Sequence, residues 1–145
     1  MKLSEAKAVV MMTAAEAEKR GLTPIAKIVG HSAFAQEPAW FTTAPVFAVK
    51  KLHEALGWAP DDVDLYEITE AFACVTMAAM KDVGIGHDKV NVNGGACALG
   101  HPIGATGSRI SVTLLHELAA RGLTRGIASQ CIGGGEATAI AFEIL

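Results

Sequence analysis

The sequence has no long hydrophobic run. Its longest nearly apolar stretch, residues 71–80, is interrupted by Thr76. That is about half the length a membrane-spanning helix requires, so a span is excluded on this reading. Basic charge is not in excess: 12 Lys plus Arg stand against 15 Asp plus Glu, for a net charge of −3. With no dense basic block, nucleic-acid binding driven by phosphate contacts is excluded. Aromatics make up only 6% of the residues, too few for a base-stacking platform. Cys74, Cys97 and Cys131 form an odd set without a CxxC pair, which argues against a disulfide scaffold and a zinc ribbon. Reduced thiols imply a cytoplasmic setting. His31, His53, His87 and His116 read as surface or helix-face residues with no metal-ligand spacing, and no metal is expected. The opening Met1-Lys2-Leu3-Ser4-Glu5 lacks the charged-then-apolar pattern of a signal peptide.

What is present fits one folded domain. The chain has 145 residues, 51% of them hydrophobic, enough for a core and too many for a disordered chain. Most of its glycines fall in the second half, from Gly84 onward. Loops loaded with glycine let another molecule approach the backbone closely.

The apolar periodicity predicts alternating strands and helices. Val9-Val10-Met11-Met12 reads either as the start of one long helix or as a short buried strand. In the second case Thr13 caps a helix over 14–20, and Glu16 completes a capping box. A strand follows over 24–29, then a structured loop over 31–44. Pro45 opens a helix to Leu56, with Val46, Val49, Leu52 and Leu56 on one face. A strand is expected over 65–68, a buried apolar helix over 70–83 and a short strand over 90–93. A glycine-rich loop leads to an amphipathic helix over 108–121. Strands over 126–132 and 137–145 flank Gly133-Gly134-Gly135 as a hairpin. This order implies an α/β sheet with helices on both faces and an antiparallel pair at the end.

The loop Asn91-Val92-Asn93-Gly94-Gly95-Ala96-Cys97-Ala98-Leu99-Gly100-His101-Pro102-Ile103-Gly104-Ala105-Thr106-Gly107 is the most informative stretch. A strand-loop-helix of this kind points backbone N–H groups at a ligand. Its glycine spacing, GxxxGxxG, is neither a dinucleotide fingerprint nor a phosphate loop with its lysine, so a nucleotide-binding module is a weak reading. Pro102 restricts the backbone of His101. A histidine so held can donate to a developing negative charge, or it is simply a surface residue. Cys131 ends a strand beside three glycines, where a substrate could reach its sulfur as a nucleophile or a general acid/base. The alternative is a small buried hydrophobe. Packing roles are expected for Cys74 and Cys97.

Taken together, residues 91–107, Glu70-Ala71-Phe72-Ala73 and Cys131-Ile132-Gly133-Gly134-Gly135 resemble the C-terminal half of a thiolase. The resemblance runs over nearly the whole chain, and HPxGxxG with a downstream CxGGG is specific in combination. It is nearest to the acetyl-CoA acetyltransferases within that family. It implies a five-stranded mixed sheet with helices on both faces and a C-terminal β-hairpin, and it favours strand then helix for residues 9–20. It also implies acyltransferase chemistry: Claisen condensation of acyl-CoA, or thiolysis of 3-oxoacyl-CoA. Cys131 would be the acid/base and His101 an oxyanion-hole donor. Backbone N–H groups around Gly133 would form part of a second oxyanion hole, and Thr69 would stand where the family's water-holding Asn stands. Ala71, Phe72, Phe41 and Gly134 would line the substrate site. No cofactor is implied beyond coenzyme A thioesters as substrates.

The chain departs from the family pattern at several places. The acyl-carrying cysteine belongs to the family's N-terminal half, and neither Cys74 nor Cys97 matches it. On this reading residues 1–145 are a C-terminal domain that needs an N-terminal half for turnover. Thr69-Glu70-Ala71-Phe72 replaces N-E-A-F, Ser4-Glu5-Ala6-Lys7-Ala8 replaces N-D-G-A-A, and Glu136 follows the glycines where Met is common. Trp40-Phe41-Thr42-Thr43 is bulkier than the usual glycine-containing stretch. The expected partners are acyl-CoA and either a separate N-terminal chain or a second copy. The alternative is a non-catalytic domain that binds acyl-CoA or a thiolase partner.

Overall fold

In the computed structural model, which describes residues 8–145, one mixed sheet organises the chain. Its strands are β1 (Ala26–Ala35), β2 (Leu65–Ile68), β3 (Arg125–Ile132) and β4 (Glu136–Ile144), in the order β1-β4-β3-β2. β3 and β4 form the antiparallel hairpin, β1 pairs antiparallel with β4, and β2 runs parallel to β3. The helices are α1 (Ala14–Lys19), α2 (Ala44–Leu56), α3 (Ala73–Val83), α4 (Ala96–Leu99) and α5 (Thr106–Arg121).

Side-chain alternation along the strands explains why helices cover both faces. Tyr66 and Ile68 of β2 join Val46, Val49 and Leu52 of α2 and Val75 of α3 in one core cluster. Leu65 points to the opposite face, where Ile110, Leu114 and Leu118 of α5 meet Ala128 and Phe142. Leu114 and Leu118 are essentially fully buried; each contributes roughly 1.5–3 kcal/mol by leaving water. At Gly126 a Cβ would lie 2.8 Å from Leu118 and 2.9 Å from Leu114, so the bare backbone lets α5 seat on β3.

Three sequence expectations are corrected here. The described residues form a four-stranded sheet, not a five-stranded one. The stretch expected as a strand over 90–93 contributes only a parallel bridge between Val90 and Tyr66. Val9-Val10-Met11-Met12 is not a strand: it is irregular and exposed, with Val10 at 87%. A strand needs a neighbour for its backbone groups, and this segment has none among the described residues. Ser4, Glu5, Ala6 and Lys7 of the altered N-terminal motif lie outside the described residues.

Elsewhere the boundaries shift rather than the elements. Thr13 caps α1, its Oγ1 accepting the Glu16 N–H at 3.2 Å. The reciprocal half of the expected box is not made, because the Glu16 carboxylate pairs with Arg20. β1 runs through Ala35 into what reads as loop, since it pairs with β4 from Ala26↔Ile144 to Ala35↔Glu136. A 3-10 turn, Pro38–Thr43, then leads into α2.

Candidate functional site

Among the described residues, the Thr69, Cys131 and glycine-loop motifs leave the same end of the sheet. β2 and β3 are parallel, so Thr69 and Cys131 both lie at C-terminal strand ends. The Val90 bridge is parallel too, so the glycine loop starts from that edge. In open α/β sheets this is where ligands bind.

Cys131 pairs with Ala137 across the hairpin and is half-buried. Burial pushes its thiol above the ordinary range, and hydrogen bonds from its own and the Ala71 backbone N–H pull more weakly the other way. Gly133 and Gly134 beside it are exposed, while Gly135 is buried at φ 101°. A side chain at Gly135 would strike the Gln36 carbonyl. That close approach is held by the Gln36 N–H donating to the Gly135 carbonyl at 3.0 Å. Gln36 also ties down the 3-10 turn, donating from Nε2 to Thr43 Oγ1 at 2.9 Å.

Thr69 follows β2, and its N–H donates to the Ser129 carbonyl at 2.9 Å. Its side chain is buried, and its Oγ1 has no hydrogen-bond partner among the described residues. Phe72 caps α3 and stays 59% exposed, its ring tilted 6.5 Å from that of Phe41. α3 is therefore buried on one side only. Cys74 and Met77 lie exposed on the other, and Cys97 is exposed as well, against the packing roles expected for the two cysteines.

The glycine loop is anchored at both ends. Asn91, at φ 49°, accepts the Ile68 N–H at 2.8 Å and donates to the Ile68 carbonyl at 2.9 Å and to Glu70 Oε1 at 3.0 Å. Glu70 Oε2 in turn accepts the Cys97 N–H at 2.8 Å, in the first turn of α4. At the far end Thr106, the first residue of α5, lies 2.7 Å from His101 Nδ1. His101 itself is exposed.

Two buried ionisable side chains, Glu67 and Arg109, lie on the α5 side of the sheet. Glu67 faces α5 and is 2% exposed; desolvation raises its carboxyl to about 7, although the Arg109 guanidinium opposes that. Arg109 Nε and Nη1 and Glu67 Oε2 are buried without hydrogen-bond partners among the described residues.

The structure thus brings Cys131 to Ala71, Phe41 to Phe72, and the Gly133-Gly134-Gly135 turn to Gln36. It ties His101 to Thr106 rather than directly to Cys131. Asn91, Glu70 and Thr106 were not assigned roles from the sequence. Their signals were an Asn that tolerates a left-handed backbone and a hydroxyl at a helix start. His53 proves buried on α2, its Nδ1 3.0 Å from the Trp58 carbonyl and its Nε2 3.0 Å from Tyr66 Oη. A groove of about 620 Å³ runs between α3 and the glycine loop, lined by Glu70, Met77, Met80, His87, Asn91 and Cys97 among others. Neither Cys131 nor His101 lines it. Among the described residues no three His, Cys, Asp or Glu side chains cluster as metal ligands, and no helix is long and apolar enough to cross a membrane.

Comparison with known proteins adds the following. A family model described as the thiolase C-terminal domain matches residues 22–144. The cytosolic acetyl-CoA acetyltransferase of Mus musculus is 50% identical over 138 residues, which are 95% of this chain and 35% of the mouse protein. An acetyl-CoA acetyltransferase of Chromobacterium violaceum is 49% identical over 138 residues, with the same shares covered. The crystal structure of the Bacillus anthracis acetyl-CoA acetyltransferase matches with a TM-score of 0.90 at 46% identity, covering 92% of this chain and 34% of that one. The chain spans about a third of the length of the relatives it matches.

Proposed function

The chain belongs to the thiolase family, matching its C-terminal domain, and from that premise we propose that it supplies the acid/base and oxyanion-binding part of a thiolase acyltransferase. The observation behind this is the placement of Cys131: half-buried at a C-terminal strand end, its sulfur beside the Ala71 N–H, next to glycines that leave it accessible.

In the degradative direction the C–C bond of a 3-oxoacyl-CoA breaks. Its acyl part forms a thioester with a cysteine supplied from outside this chain. The electrons of that bond pass to the departing acetyl-CoA enolate. Cys131, kept protonated by its desolvated setting, gives its proton to the enolate carbon. Condensation is the reverse: Cys131 thiolate takes the α-proton, and the enolate attacks the acyl thioester and expels the cysteine sulfur. An enolate beside a thioester is too basic to form freely, so its oxygen needs fixed donors. His101 is assigned to that oxygen, Thr69 to holding a water that feeds the same hole, and the backbone around Gly133 to the oxyanion of the attacked acyl group. Phe72, Phe41, Ala71 and Gly134 border the acyl-CoA.

The surface supports the need for a complement. Val10, Met77, Trp40, Leu99 and Ile103 are all exposed, Ile103 at 84%. Exposed large apolar side chains at these positions fit a surface that another chain covers. An N-terminal thiolase half is the assigned cover, with a second copy of this chain as the other outcome, in a cytoplasmic setting.

The test adds the chain to the remaining two thirds of a thiolase and follows thiolysis of acetoacetyl-CoA. Turnover that appears on mixing and falls roughly 10²–10⁴-fold with Cys131→Ala supports the role. Turnover unchanged by Cys131→Ala refutes it. A second reading has its own observation: Thr69, its buried hydroxyl without a partner among the described residues, has one donor and a shorter reach than Asn. A domain that binds acyl-CoA without turnover would titrate with acetyl-CoA in calorimetry yet stay silent in the mixing assay.

A further inference from the structure

We propose that Gln36 is a positioning residue for the acyl end of the site: it holds Phe41 against the hairpin that carries Cys131, and so restricts turnover to short acyl groups. This rests on the assignment of Cys131 as the acid/base and of Phe41 and Phe72 as bordering the acyl-CoA.

Gln36 directly follows β1 and bonds in two directions. Its N–H donates to the Gly135 carbonyl at 3.0 Å, and its own carbonyl lies where a Cβ on Gly135 would strike it. Its side-chain amide turns the other way. The Trp40 carbonyl can only accept, so the amide nitrogen must face it, and the second hydrogen goes to Thr43 Oγ1 at 2.9 Å. Among the described residues, Gln36 alone hydrogen-bonds to both the hairpin turn and the 3-10 turn.

Thr43 reinforces that link at the expense of its own helix. It stands at the N-cap of α2, where a hydroxyl ordinarily accepts a first-turn N–H, yet it makes no capping bond. It accepts from Gln36 and donates to the Trp40 carbonyl at 3.0 Å. Two side chains thus converge on the peptide that joins Trp40 to Phe41 and fix its plane. The 3-10 turn packs on β3, β4 and α3, and the Phe41 ring meets that of Phe72 at a centroid distance of 6.5 Å. Phe72 follows Ala71, whose N–H bonds to Cys131. The contacts close a circuit from Cys131 through Ala71, Phe72, Phe41 and Gln36 back to the Cys131 hairpin. Moving the Phe41 backbone away from Phe72 means giving up the bonds to Trp40 and Thr43, so a longer acyl chain meets a wall that resists opening.

The test mixes the chain with the remaining part of a thiolase and compares thiolysis of acetoacetyl-CoA with that of 3-oxohexanoyl-CoA. Gln36→Leu, of similar size without donors, is expected to raise kcat/KM for the longer substrate relative to the shorter about 10-fold, chiefly through KM. Thr43→Val shifts the ratio the same way, and Thr43→Ser keeps the wild-type ratio. An unchanged ratio in Gln36→Leu and Thr43→Val, even with both rates lower, overturns the proposal. A second readout does not depend on turnover. Nuclear Overhauser contacts between the Phe41 and Phe72 rings should be strong in wild type and Thr43→Ser, and weakened in Gln36→Leu and Thr43→Val. Identical contacts in all four would equally overturn the proposal. If mixing gives no turnover, the acyltransferase reading falls, and the ring contacts alone decide whether Gln36 positions Phe41. If Gln36→Leu does not fold, the two Thr43 variants decide both readouts.

Discussion

The carboxylate of Glu70 bridges Asn91, just after the Val90 bridge, to the Cys97 N–H in α4, at 3.0 and 2.8 Å. One side chain thereby joins the loop after β2 to the loop that carries His101. Gly95 lies so close that a Cβ there would collide with the Glu70 carboxylate. Desolvation would raise the Glu70 carboxyl, but the hydrogen bonds from Cys97 and Asn91 outweigh it and hold the carboxyl below the ordinary range. A depressed carboxyl stabilises the fold above its unfolded value and loses that contribution as pH falls through the folded one. The glycine loop is therefore expected to loosen as pH falls below the ordinary carboxylate range. The protection factor of the Cys97 amide, its intrinsic exchange rate over the observed one at each pH from 6 downward, should fall there. Glu70→Ala should bring the same loosening at neutral pH, and unchanged protection in that variant would refute the bridge.

Glu67 behaves in the opposite sense. Its carboxyl is raised by desolvation to about 7, so the folded chain binds a proton more tightly than the unfolded one. Stability is then greatest below the unfolded value and falls as pH rises towards 7. Urea unfolding at pH 5, 6, 7 and 8 should show a decline of at most about 3 kcal/mol. Glu67→Gln should flatten that decline. An equally steep decline in the variant would place its origin elsewhere.

Gly135 joins the hairpin to the residue after β1, its carbonyl accepting the Gln36 N–H. Gly135→Ala brings both a left-handed backbone penalty and a clash with main chain that cannot swing aside. A loss of roughly 2–4 kcal/mol is expected, read as a lower urea midpoint. Gly133→Ala, with open space around its Cβ, should cost much less. Equal losses at the two positions would contradict the packing described.

The three thiols should alkylate in an order set by their surroundings. Cys74 is exposed, Cys131 is half-buried with its thiol pushed up, and the Cys97 thiol is raised by its hydrogen bond to Glu70. Timed iodoacetamide labelling at pH 8 with peptide mass mapping should therefore find Cys74 modified first. Glu70→Gln should speed Cys97 without affecting Cys131. Cys131 labelled ahead of Cys74 would mean that its sulfur is not desolvated as described.

Much of this molecule is local and therefore legible in one dimension. α2 and α5 were readable from apolar spacing, with Gly57 and Gly122 as stops, because helix hydrogen bonds close within the segment. β2 and the hairpin flanking Gly133-Gly134-Gly135 were readable for a similar reason: short apolar runs bounded by turn residues. The motifs that show the family are contiguous runs as well. Strand pairing is not local, and there the reading failed. Val9-Val10-Met11-Met12 has strand composition but no neighbour among the described residues, and the stretch after Val90 pairs at only one residue. β1 extends through Ala35 only because β4 lies beside it. The contacts that shape the candidate site belong to the same class. Ala71 with Cys131, Glu70 with Cys97, and Gln36 with Gly135 join residues far apart in the chain. Even Thr106 and His101, five residues apart, meet only because Pro102 and the start of α5 turn the loop back. Residue identities and helical faces were determined by the sequence by itself. Which donor meets which acceptor was decided by the sheet, because hydrogen bonds between distant residues form only once packing has brought their atoms within about 3 Å.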